Sequence, residues 1–351
     1  MEFTLHRSFT DLEPLATDWN TLLNESVSQV PFLRYEYLQT WWETRGGGEW
    51  PDSELAVVIA RQDGLLAGVA PLFAARNRAG DFALLLLGSI EISDYLDLIV
   101  RPTDLSVFLS GLLDFLGQPA PIGLSVHALE AKLKQWQILD WQNFSEASPT
   151  LAVLKAEAEK RGWTFVKEQT YHAPSIPLTG DFETYLSGID KKQRHEIRRK
   201  MRRAEESGRD MRWYIVSDGT TLETEVDAFL TMMAGDPEKE KFLTEAMRWQ
   251  MHLSCRAAFV NGWLQLAFLE IDGQKAAGYL NFDYFNHIWV YNSGIDRRFL
   301  ELSPGWVLLG HLLQWVNENK RAEFDFMRGN EEYKYRFGAV DKFVVRAKVV
   351  R

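Results

Sequence analysis

The stretch best suited to bind a ligand is the loop and helix start that follow a predicted strand in the second half of the chain. Ser303 and Pro304 are residue types preferred at the N-cap and at the first position of a helix. A helix N-terminus presents free backbone N–H groups and a positive dipole end, so it attracts phosphate. Gly305 would let a ligand approach the backbone, and Arg297 and Arg298 add charge suited to a pyrophosphate or 3′-phosphate. The alternative is a plain helix cap with two surface arginines.

A basic segment, residues 191–203, carries eight lysine or arginine side chains on a chain whose net charge is −10. This local concentration could bind a nucleotide-linked acceptor, the end of a tRNA or an acidic lipid surface. Arg194, Arg198 and Arg199 are predicted to contact a phosphate-bearing acceptor or tRNA. The alternative is a solvated helix face that pairs with neighbouring glutamates.

A third cluster of reactive side chains follows a predicted strand that ends near Met327. It contains Glu331, Tyr333 and Lys334, and carboxylates and lysines at strand ends suit proton transfer and amine positioning. Lys334 is predicted to steady negative charge on a reacting carbonyl oxygen or on a donor phosphate. Tyr333 and Glu331 are second choices for the proton-transfer role. Taken singly, each side chain could instead belong to a surface ion pair or a helix cap.

In the first half of the chain, Asp94, Tyr95 and Asp97 lie in residues 93–100, which read as a strand. If two domains face each other across a cleft, Asp94 and Lys334 can approach from opposite walls. Asp94 would then hold an acceptor amine and take its proton, although a carboxylate with a pKa of about 4 is a weak base unless burial raises that pKa. Tyr95 and Asp97 are predicted to contact the same acceptor.

Several familiar catalytic motifs are absent from the sequence. It has no Walker P-loop, no GxGxxG after a strand, no HExxH, no CxxC and no GxSxG nucleophile elbow. The seven histidines are scattered, and no pair has the spacing of metal ligands. We therefore expect no dedicated metal site.

Length, composition and charge narrow the class of protein. The 351 residues suggest about two domains, and 46% hydrophobic with 25% charged residues is typical of globular proteins. The acidic net charge argues against general nucleic-acid binding, and no DNA partner is expected. Cys255 is the only cysteine, so an internal disulfide is excluded and a reducing, cytoplasmic setting fits. No signal peptide is evident, and the strongest apolar run, residues 82–87, is far shorter than the roughly 20 residues of a transmembrane helix. We expect a soluble protein, for which peripheral membrane contact stays open.

The predicted elements repeat between the two halves of the chain. Each half reads as strand, Asp-Gly turn, strand, strand, helix and strand, with residues 122–129 as the last strand of the first half. Asp272 lies 209 residues after Asp63, whereas Gly278 lies 210 residues after Gly68. These offsets predict an internal duplication with a one-residue insertion at the turn, and coincidence between two generic hairpins is the alternative.

The repeat predicts domains at residues 1–148 and 149–351, with no long linker between them. The second domain would contain the candidate anion site and a helical insertion. Within that insertion, a basic helix over residues 185–206 can break near Gly188.

Six stretches spread over nearly the whole chain carry a resemblance to a known family. They are PFLRYEYLQTWW (31–42), GVAPLF (68–73), LGSIEISDYLDLIV (87–100), YLSGIDKKQRHEIRRKMRRAEESG (185–208), SGIDRRFLELSPGWVLLGHLL (293–313) and FDFMRGNEEYKYRFGA (324–339). Together they resemble the CelD/BioF-like acetyltransferases of the GNAT superfamily, relatives of the FemAB aminoacyltransferases. The part from Gly294 to Gly338 is the most specific.

The resemblance implies an α+β (mixed α/β) fold of two tandem GNAT-like domains, each a mixed, mostly antiparallel sheet flanked by helices. It implies an acyl donor bound by the second domain, no metal and no covalent enzyme intermediate. In GNAT folds acyl-CoA lies between two splayed strands, with its pyrophosphate on the next helix N-terminus. Carried onto this chain, that site comprises Tyr291, Asn292, Ser293, Gly294, Ser303, Gly305, Trp306 and Val307. The SPG at 303–305 departs from the usual Gln/Arg-x-x-Gly-x-Gly/Ala loop, which leaves open the charged tRNA that FemAB relatives use.

The expected function is transfer of an acyl group from acyl-CoA, with acetyl-CoA the first choice, to an amine that attacks the thioester directly. The enzyme would contribute orientation and stabilise the oxyanion with backbone N–H groups. The acceptor is expected to be a small molecule or a cell-envelope precursor. One alternative is a FemAB-type, aminoacyl-tRNA-dependent aminoacyl or peptidyl transferase of cell-envelope or polysaccharide biosynthesis. An alternative of another class is a non-catalytic GNAT-like binding protein.

Overall fold

The computed structural model describes residues 1–50, 52–117, 135–178 and 180–351. These residues form two compact units. Unit 1 comprises Met1–Tyr171 and Phe343–Arg351, and unit 2 comprises His172–Lys342. The strand predicted over residues 122–129 lies outside the described residues.

Unit 1 combines helices with two sheets. Its described helices are α1 (Ala16–Asn24), α2 (Tyr35–Arg45), α3 (Ser89–Ile92), α4 (Leu105–Gly117) and α5 (Pro149–Lys160). Its described strands are β1 (Glu2–His6), β2 (Glu54–Leu55), β3 (Val57–Gln62), β4 (Leu65–Ala70), β5 (Leu72–Arg76), β6 (Phe82–Leu86), β7 (Ile99–Val100), β8 (Ile138–Ser145), β9 (Thr164–His172) and β16 (Phe343–Val350). They form the sheets β1-β3-β4-β7 and β2-β5-β6-β8-β16-β9. The pattern of residues 68–76 by itself predicts one strand. The structure has two strands there, β4 and β5, in different sheets, because Pro71 interrupts the ladder between them.

Unit 2 is built around one six-stranded sheet of order β10-β15-β14-β13-β12-β11. The strands are β10 (Ser175–Pro177), β11 (Met211–Ile215), β12 (Leu264–Ile271), β13 (Gln274–Tyr284), β14 (His287–Ile295) and β15 (Glu323–Asp325). The described helices are α6 (Phe182–Gly188), α7 (Lys191–Glu205), α8 (Leu222–Met233), α9 (Pro237–Phe242), α10 (Glu245–Val260), α11 (Pro304–Glu318) and α12 (Glu332–Arg336), with a 3-10 helix at Arg297–Leu302 before α11. Leucines along one face of α11 pack with sheet residues in the core of this unit. Both units therefore confirm the predicted mixture of helices and mixed sheets.

The boundary between the units differs from the predicted one at residue 148. Helix α5 and strand β9 stay with unit 1, so the chain crosses to unit 2 only after Tyr171. The last strand, β16, returns to unit 1 because it pairs antiparallel with β8, from Val344 opposite Ser145 to Val350 opposite Ile138. The pairing of a strand with one about 200 residues earlier leaves no local signal in the sequence.

The two predicted hairpins have the same turn. Asp63 and Gly64 have φ angles of 53° and 80°, and Asp272 and Gly273 have 50° and 73°. Two successive positive φ values are the mark of a type I′ turn, which matches the twist of antiparallel strands and for which Asp-Gly is a preferred pair. The turns predicted from the sequence are therefore confirmed at both places.

The hairpins also share a β-bulge, which corrects the predicted one-residue insertion. In the first, Arg61 pairs with Leu66 and Ala60 with Gly68, so one residue is skipped. In the second, the same shift occurs between the pairs Glu270–Lys275 and Leu269–Ala277. Gly68 thus corresponds to Ala277 and not to Gly278, and the offset of 209 residues holds on both sides of the turn. The identical register and bulge favour duplication over coincidence.

Two short breaks divide helical segments of unit 2, one between α6 and α7 and the other between α9 and α10. The predicted break near Gly188 is confirmed, since α6 ends there and Asp190 caps α7 by accepting hydrogen bonds from two backbone N–H groups. The second break lies in residues 240–257, whose pattern by itself predicts one helix. The structure has two helices there, α9 and α10, because Thr244 turns the chain and its hydroxyl accepts from Met247 N–H to start α10.

Candidate active site

Strands β14 and β15 of unit 2 are paired only along the first part of β14. They pair in parallel from His287 opposite Glu323 to Trp289 opposite Asp325, where β15 ends. Strand β14 runs on to Ile295, and a register shift against β13 leaves Tyr291 as an extra residue. Residues 290–295 therefore form an edge with no β15 partner, here called the open edge. It contains the strand part of the donor site expected from the sequence.

Side chains satisfy the backbone of the open edge at Ser293. Its N–H donates to Asn292 Oδ1 (2.9 Å), and its carbonyl accepts from Lys239 Nζ (2.6 Å). Burial lowers the pKa of the half-buried Lys239, with a smaller contribution in the same direction from Lys334 and opposing effects of Asp236 and Glu331. Sequence reasoning missed Lys239, because α9 is a short, charged helix and Lys239 lies 54 residues before Ser293, the residue it contacts.

Lys334 is almost completely enclosed, with 3% of its surface exposed. Its Nζ donates to four backbone carbonyls of the preceding loop, those of Phe326 (3.2 Å), Met327 (3.5 Å), Arg328 (3.0 Å) and Gly329 (3.0 Å). We call residues 326–329 the carbonyl loop. Nζ also pairs with Glu331 Oε2 at 2.9 Å, so the structure brings together two of the predicted site residues. The ammonium holds the carbonyl loop and has its hydrogen-bonding capacity filled by the protein.

Glycine is required at position 329 of the carbonyl loop. Its φ is +112°, and a Cβ there would lie 2.5 Å from Glu331 Oε2. Any other residue would strain the backbone and displace the carboxylate that pairs with Lys334.

Tyr333 packs between the carbonyl loop and the core. Its ring meets that of Phe326 edge-on, with 5.9 Å between centroids. Burial, assisted by the Glu331 carboxylate, raises the pKa of Tyr333 well above its usual range. The phenol therefore keeps its proton at neutral pH, so Tyr333 is not a base there.

The N-terminus of α11 has the predicted position but not the predicted cap. Ser303 is left-handed (φ +54°) and makes no side-chain cap, and its carbonyl accepts from Trp306 N–H (3.0 Å) and Val307 N–H (3.1 Å). Gly305 is buried, and a Cβ there would lie 2.7 Å from Ile295 Cδ1. Glycine therefore serves the packing of helix against strand, which corrects the expectation that it leaves room for a ligand.

A surface cavity of about 650 Å³ adjoins the loop before α11. Its lining includes Lys275, Ile295, Arg297 and Arg298. Arg298 pairs with Asp296 at 2.6 Å, whereas Arg297 has no ion pair among the described residues. The cavity thus contains one guanidinium, that of Arg297, which has no ion pair among the described residues and interacts at longer range with Asp236.

The three arginines of α7 that are predicted to contact a substrate bind groups of the protein itself. Arg194 donates to the carbonyls of Leu186 and Ser187, Arg198 pairs with Glu183, and Arg199 pairs with Glu196. Four exposed side chains of α7 have no ion pair among the described residues, and we call them the free quartet: Lys191, Lys192, Arg202 and Arg203. The charges of these four side chains are therefore not neutralised by ion pairs with the described residues, whereas those of Arg198 and Arg199 are.

Helix α7 borders both candidate regions of unit 2. Lys200 Nζ lies 3.8 Å from the ring centroid of Trp306, the third residue of α11, which is cation–π distance. Towards its other end, α7 and α12 line a cavity of about 700 Å³ with residues that include Lys192, His195 and Arg336. The fold therefore places a basic helix beside the N-terminus of α11 and the helix that carries Tyr333.

In unit 1, residues 93–98 are irregular, and only Ile99 and Val100 of the predicted strand pair in a sheet. Asp97 is buried, and its carboxylate accepts from Ser148 Oγ (2.6 Å), Thr150 Oγ1 (2.7 Å) and Leu98 N–H (2.8 Å). These bonds favour a structural role over the predicted substrate contact.

Burial raises the pKa of Asp97 to about 6, and its three hydrogen bonds oppose that shift. Asp94 is half-buried and Tyr95 is buried in the same segment. Asp94 belongs to unit 1 and Lys334 to unit 2, and their common reaction centre stays a prediction.

The described part of the chain has neither a metal-ligand cluster nor a membrane-spanning helix. No group of three or more His, Cys, Asp or Glu side chains there is arranged to hold a metal ion. No helix in the same residues combines the length and the apolar character that crossing a membrane requires.

Residues 191–335 match the acetyltransferase (GNAT) domain family. The crystal structure of FemX has a TM-score of 0.63 with this chain at 12% identity, covering 99% of this chain and 97% of that one. The C-terminal domain of a putative lysylphosphatidylglycerol synthetase from Agrobacterium fabrum gives 0.55 at 10% identity, covering 97% and 92%. L-PGS from Bacillus licheniformis gives 0.50 at 13% identity, covering 90% and 91%. At these identities the likeness is one of fold, and no curated protein sequence matches the chain.

Proposed function

We propose that this chain, an acyltransferase whose residues 191–335 form a GNAT domain, moves an acyl group from acyl-CoA to an amine. The observation that carries the proposal is the separation of β14 from β15 after Trp289, which leaves an open edge directly before the helix N-terminus of α11. Acetyl-CoA is the first candidate donor.

The donor would run along the open edge with its phosphates towards α11. The backbone N–H and carbonyl of Ser293 can exchange their present side-chain partners, Asn292 and Lys239, for the amide of an extended donor arm. Arg297, which has no ion pair among the described residues, and Lys275 would face the phosphates in the adjoining cavity. The positive end of the helix dipole adds to this attraction.

The chemistry proposed is direct attack by the acceptor nitrogen on the thioester carbonyl carbon. The new C–N bond forms, the tetrahedral oxyanion collapses, and the C–S bond breaks to release the CoA thiolate. The amine proton passes to Glu331, whose side chain is about half exposed, and the phenol of Tyr333 protonates the leaving thiolate. A role for Asp94 in holding the amine remains part of this proposal.

The acceptor class proposed is an amine of a cell-envelope precursor or a small molecule, and the setting proposed is the cytoplasm. The support is the fold shared with FemX and with the lysylphosphatidylglycerol synthetase domain. This likeness is one of fold, so the acceptor has to be identified by assay.

A second candidate function has the same fold and a different donor. In it, aminoacyl-tRNA replaces acyl-CoA, and the free quartet of α7 contacts phosphates of the tRNA end. The specific observation in its favour is that these four exposed cations lack ion pairs among the described residues, on a protein of net charge −10.

Measurements of donor binding and of amine-dependent CoA release distinguish the two candidate functions. Calorimetric titration with acetyl-CoA, longer acyl-CoAs and aminoacyl-tRNA identifies the donor. CoA release is then measured with glucosamine, lysine and ethanolamine as probe amines. Binding of acetyl-CoA with amine-dependent CoA release supports the proposal, binding of aminoacyl-tRNA alone supports the second candidate, and binding without turnover supports a non-catalytic protein.

A further inference from the structure

Two lysines lie near the open edge, and they differ in how their ammonium groups are held. Lys334 Nζ has four carbonyls and one carboxylate as acceptors and is 3% exposed. An ammonium has three N–H donors, so this set of acceptors leaves none for a substrate. Moving Lys334 onto a reacting group would leave four backbone carbonyls, two of them buried, without this donor, which is unfavourable.

The ammonium of Lys239, unlike that of Lys334, has hydrogen-bonding capacity to spare. Its Nζ is bonded to one neutral acceptor, the carbonyl of Ser293 at 2.6 Å, and no carboxylate of the described residues lies within ion-pair distance. Two of its three N–H groups remain for another acceptor. The charged groups whose fields reach it are Asp236 on its own helix and Glu331 and Lys334 near the carbonyl loop.

The position of Lys239 suits contact with a reacting carbonyl. It binds the open edge itself, at the residue whose carbonyl would accept a hydrogen bond from an extended donor. When the donor binds, its amide N–H can take over the Ser293 carbonyl while the ammonium turns to the donor. The exchange preserves the number of hydrogen bonds, so it costs little.

We propose that Lys239 is the catalytic ammonium that stabilises the oxyanion of the tetrahedral intermediate, and that Lys334 is a positioning residue that holds the carbonyl loop. The proposal rests on the proposed function, because the oxyanion forms only if acyl transfer takes place at the open edge. It reverses the role expected for Lys334 from the sequence. It also adds a residue, on α9, that the sequence did not indicate.

The test compares Lys239→Met, Lys334→Met and the control Lys241→Met. Lys241 lies on the same short helix, is exposed and pairs with Glu238 at 2.7 Å, so its loss changes charge without touching the open edge. CoA release is measured with acetyl-CoA and the best of the three probe amines. Donor affinity, melting temperature and proteolysis of residues 326–331 are measured alongside.

For Lys239→Met we expect an unchanged melting temperature and donor affinity with kcat lowered about 100-fold or more, the loss typical of an oxyanion donor. Lys239→Arg should recover part of that loss, because it keeps the charge. Lys334→Met should lower the melting temperature and expose the carbonyl loop to protease, and Lys241→Met should match the wild type.

Wild-type kcat in Lys239→Met, with transfer intact in the wild-type protein, would overturn the role of Lys239 and leave the proposed function standing. A large loss of kcat in Lys334→Met without loss of stability or loop protection would overturn the positioning role. Absence of acetyl-CoA binding and transfer in the wild type would instead overturn the proposed function, and the role of Lys239 with it.

Discussion

Asp97 should make unit 1 less stable as pH rises through the weakly acidic range. Its carboxyl group is buried, and burial raises its pKa from 3.8 to about 6. Between these values the unfolded chain has already lost the proton that the folded chain keeps. Folding is therefore favoured below about pH 4, and this contribution is lost progressively as pH rises to about 6. The replacement Asp97→Asn removes the titration, and since the hydroxyls of Ser148 and Thr150 can donate or accept, the hydrogen bonds can be kept.

The size of the effect follows from the pKa difference of about two units. Each unit corresponds to 1.36 kcal/mol, so the contribution of Asp97 changes by about 3 kcal/mol between pH 4 and pH 7. Carboxylates whose pKa is lowered in the folded protein have the opposite effect, because their contribution to stability rises with pH. Glu157, for example, has a pKa lowered to about 2 by its bond to Lys160. Only the difference between the wild type and Asp97→Asn isolates the buried group.

Native-state hydrogen exchange of the buried amides of α5 provides the assay, because these amides report the opening of unit 1. We expect the opening free energy of the wild type, relative to Asp97→Asn, to fall by about 3 kcal/mol from pH 4 to pH 7. Equal pH dependence of the opening free energy in the two proteins would refute the claim that burial raises the pKa of the Asp97 carboxyl group. A relative rise would show that the hydrogen bonds outweigh burial.

Three further predictions concern packing, proton transfer and phosphate binding. Gly68→Ala should destabilise the protein by about 1–3 kcal/mol, because its Cβ would lie 2.3 Å from the Phe108 ring, whereas Gly188→Ala has open space and should be nearly neutral in urea denaturation. Tyr333→Phe should lower CoA release by 10²-fold or more at unchanged donor affinity, on the order of a general acid, and Tyr335→Phe should not. Replacing the free quartet of α7 by glutamine should weaken the binding of a phosphate-bearing substrate and flatten its salt dependence at constant melting temperature, and an unaltered salt slope would exclude that role.

Features determined by a few neighbouring residues were predictable from the sequence. The Asp-Gly pairs at 63–64 and 272–273 tolerate the positive φ values that a type I′ turn requires, and both hairpins are present. The break near Gly188 is present because Asp190 caps the next helix. Glu331 and Lys334 lie one helical turn apart, and they are in contact.

Features that depend on distant contacts were not predictable. The equivalence of Gly68 with Ala277 depends on a bulge, and a one-residue bulge leaves no signal in composition. The return of β16 to unit 1 depends on pairing with a strand about 200 residues earlier. Lys239 was missed because only the folded chain brings α9 to the open edge.

The ion pairs of α7 also depend on distant contacts, so they could not be predicted from the sequence. A run of basic residues is visible in the sequence, but which of them are neutralised depends on Glu183 of α6 and on the geometry of each side chain. The sequence therefore indicated the basic helix correctly, whereas only the structure shows which of its cations have ion pairs.

The central claim is that unit 2 binds an acyl-CoA donor at the open edge and the N-terminus of α11. Titration calorimetry with acetyl-CoA tests it most directly, using the wild type, Arg297→Gln and the control Arg256→Gln, whose arginine pairs with Glu223 on α8. We expect the wild type and the control to bind one acetyl-CoA per chain with equal affinity. Arg297→Gln should bind about tenfold more weakly, as expected for loss of a charge-assisted contact worth about 1.5 kcal/mol. No binding of acetyl-CoA to the wild type, or equal affinity in all three proteins, would contradict the claim.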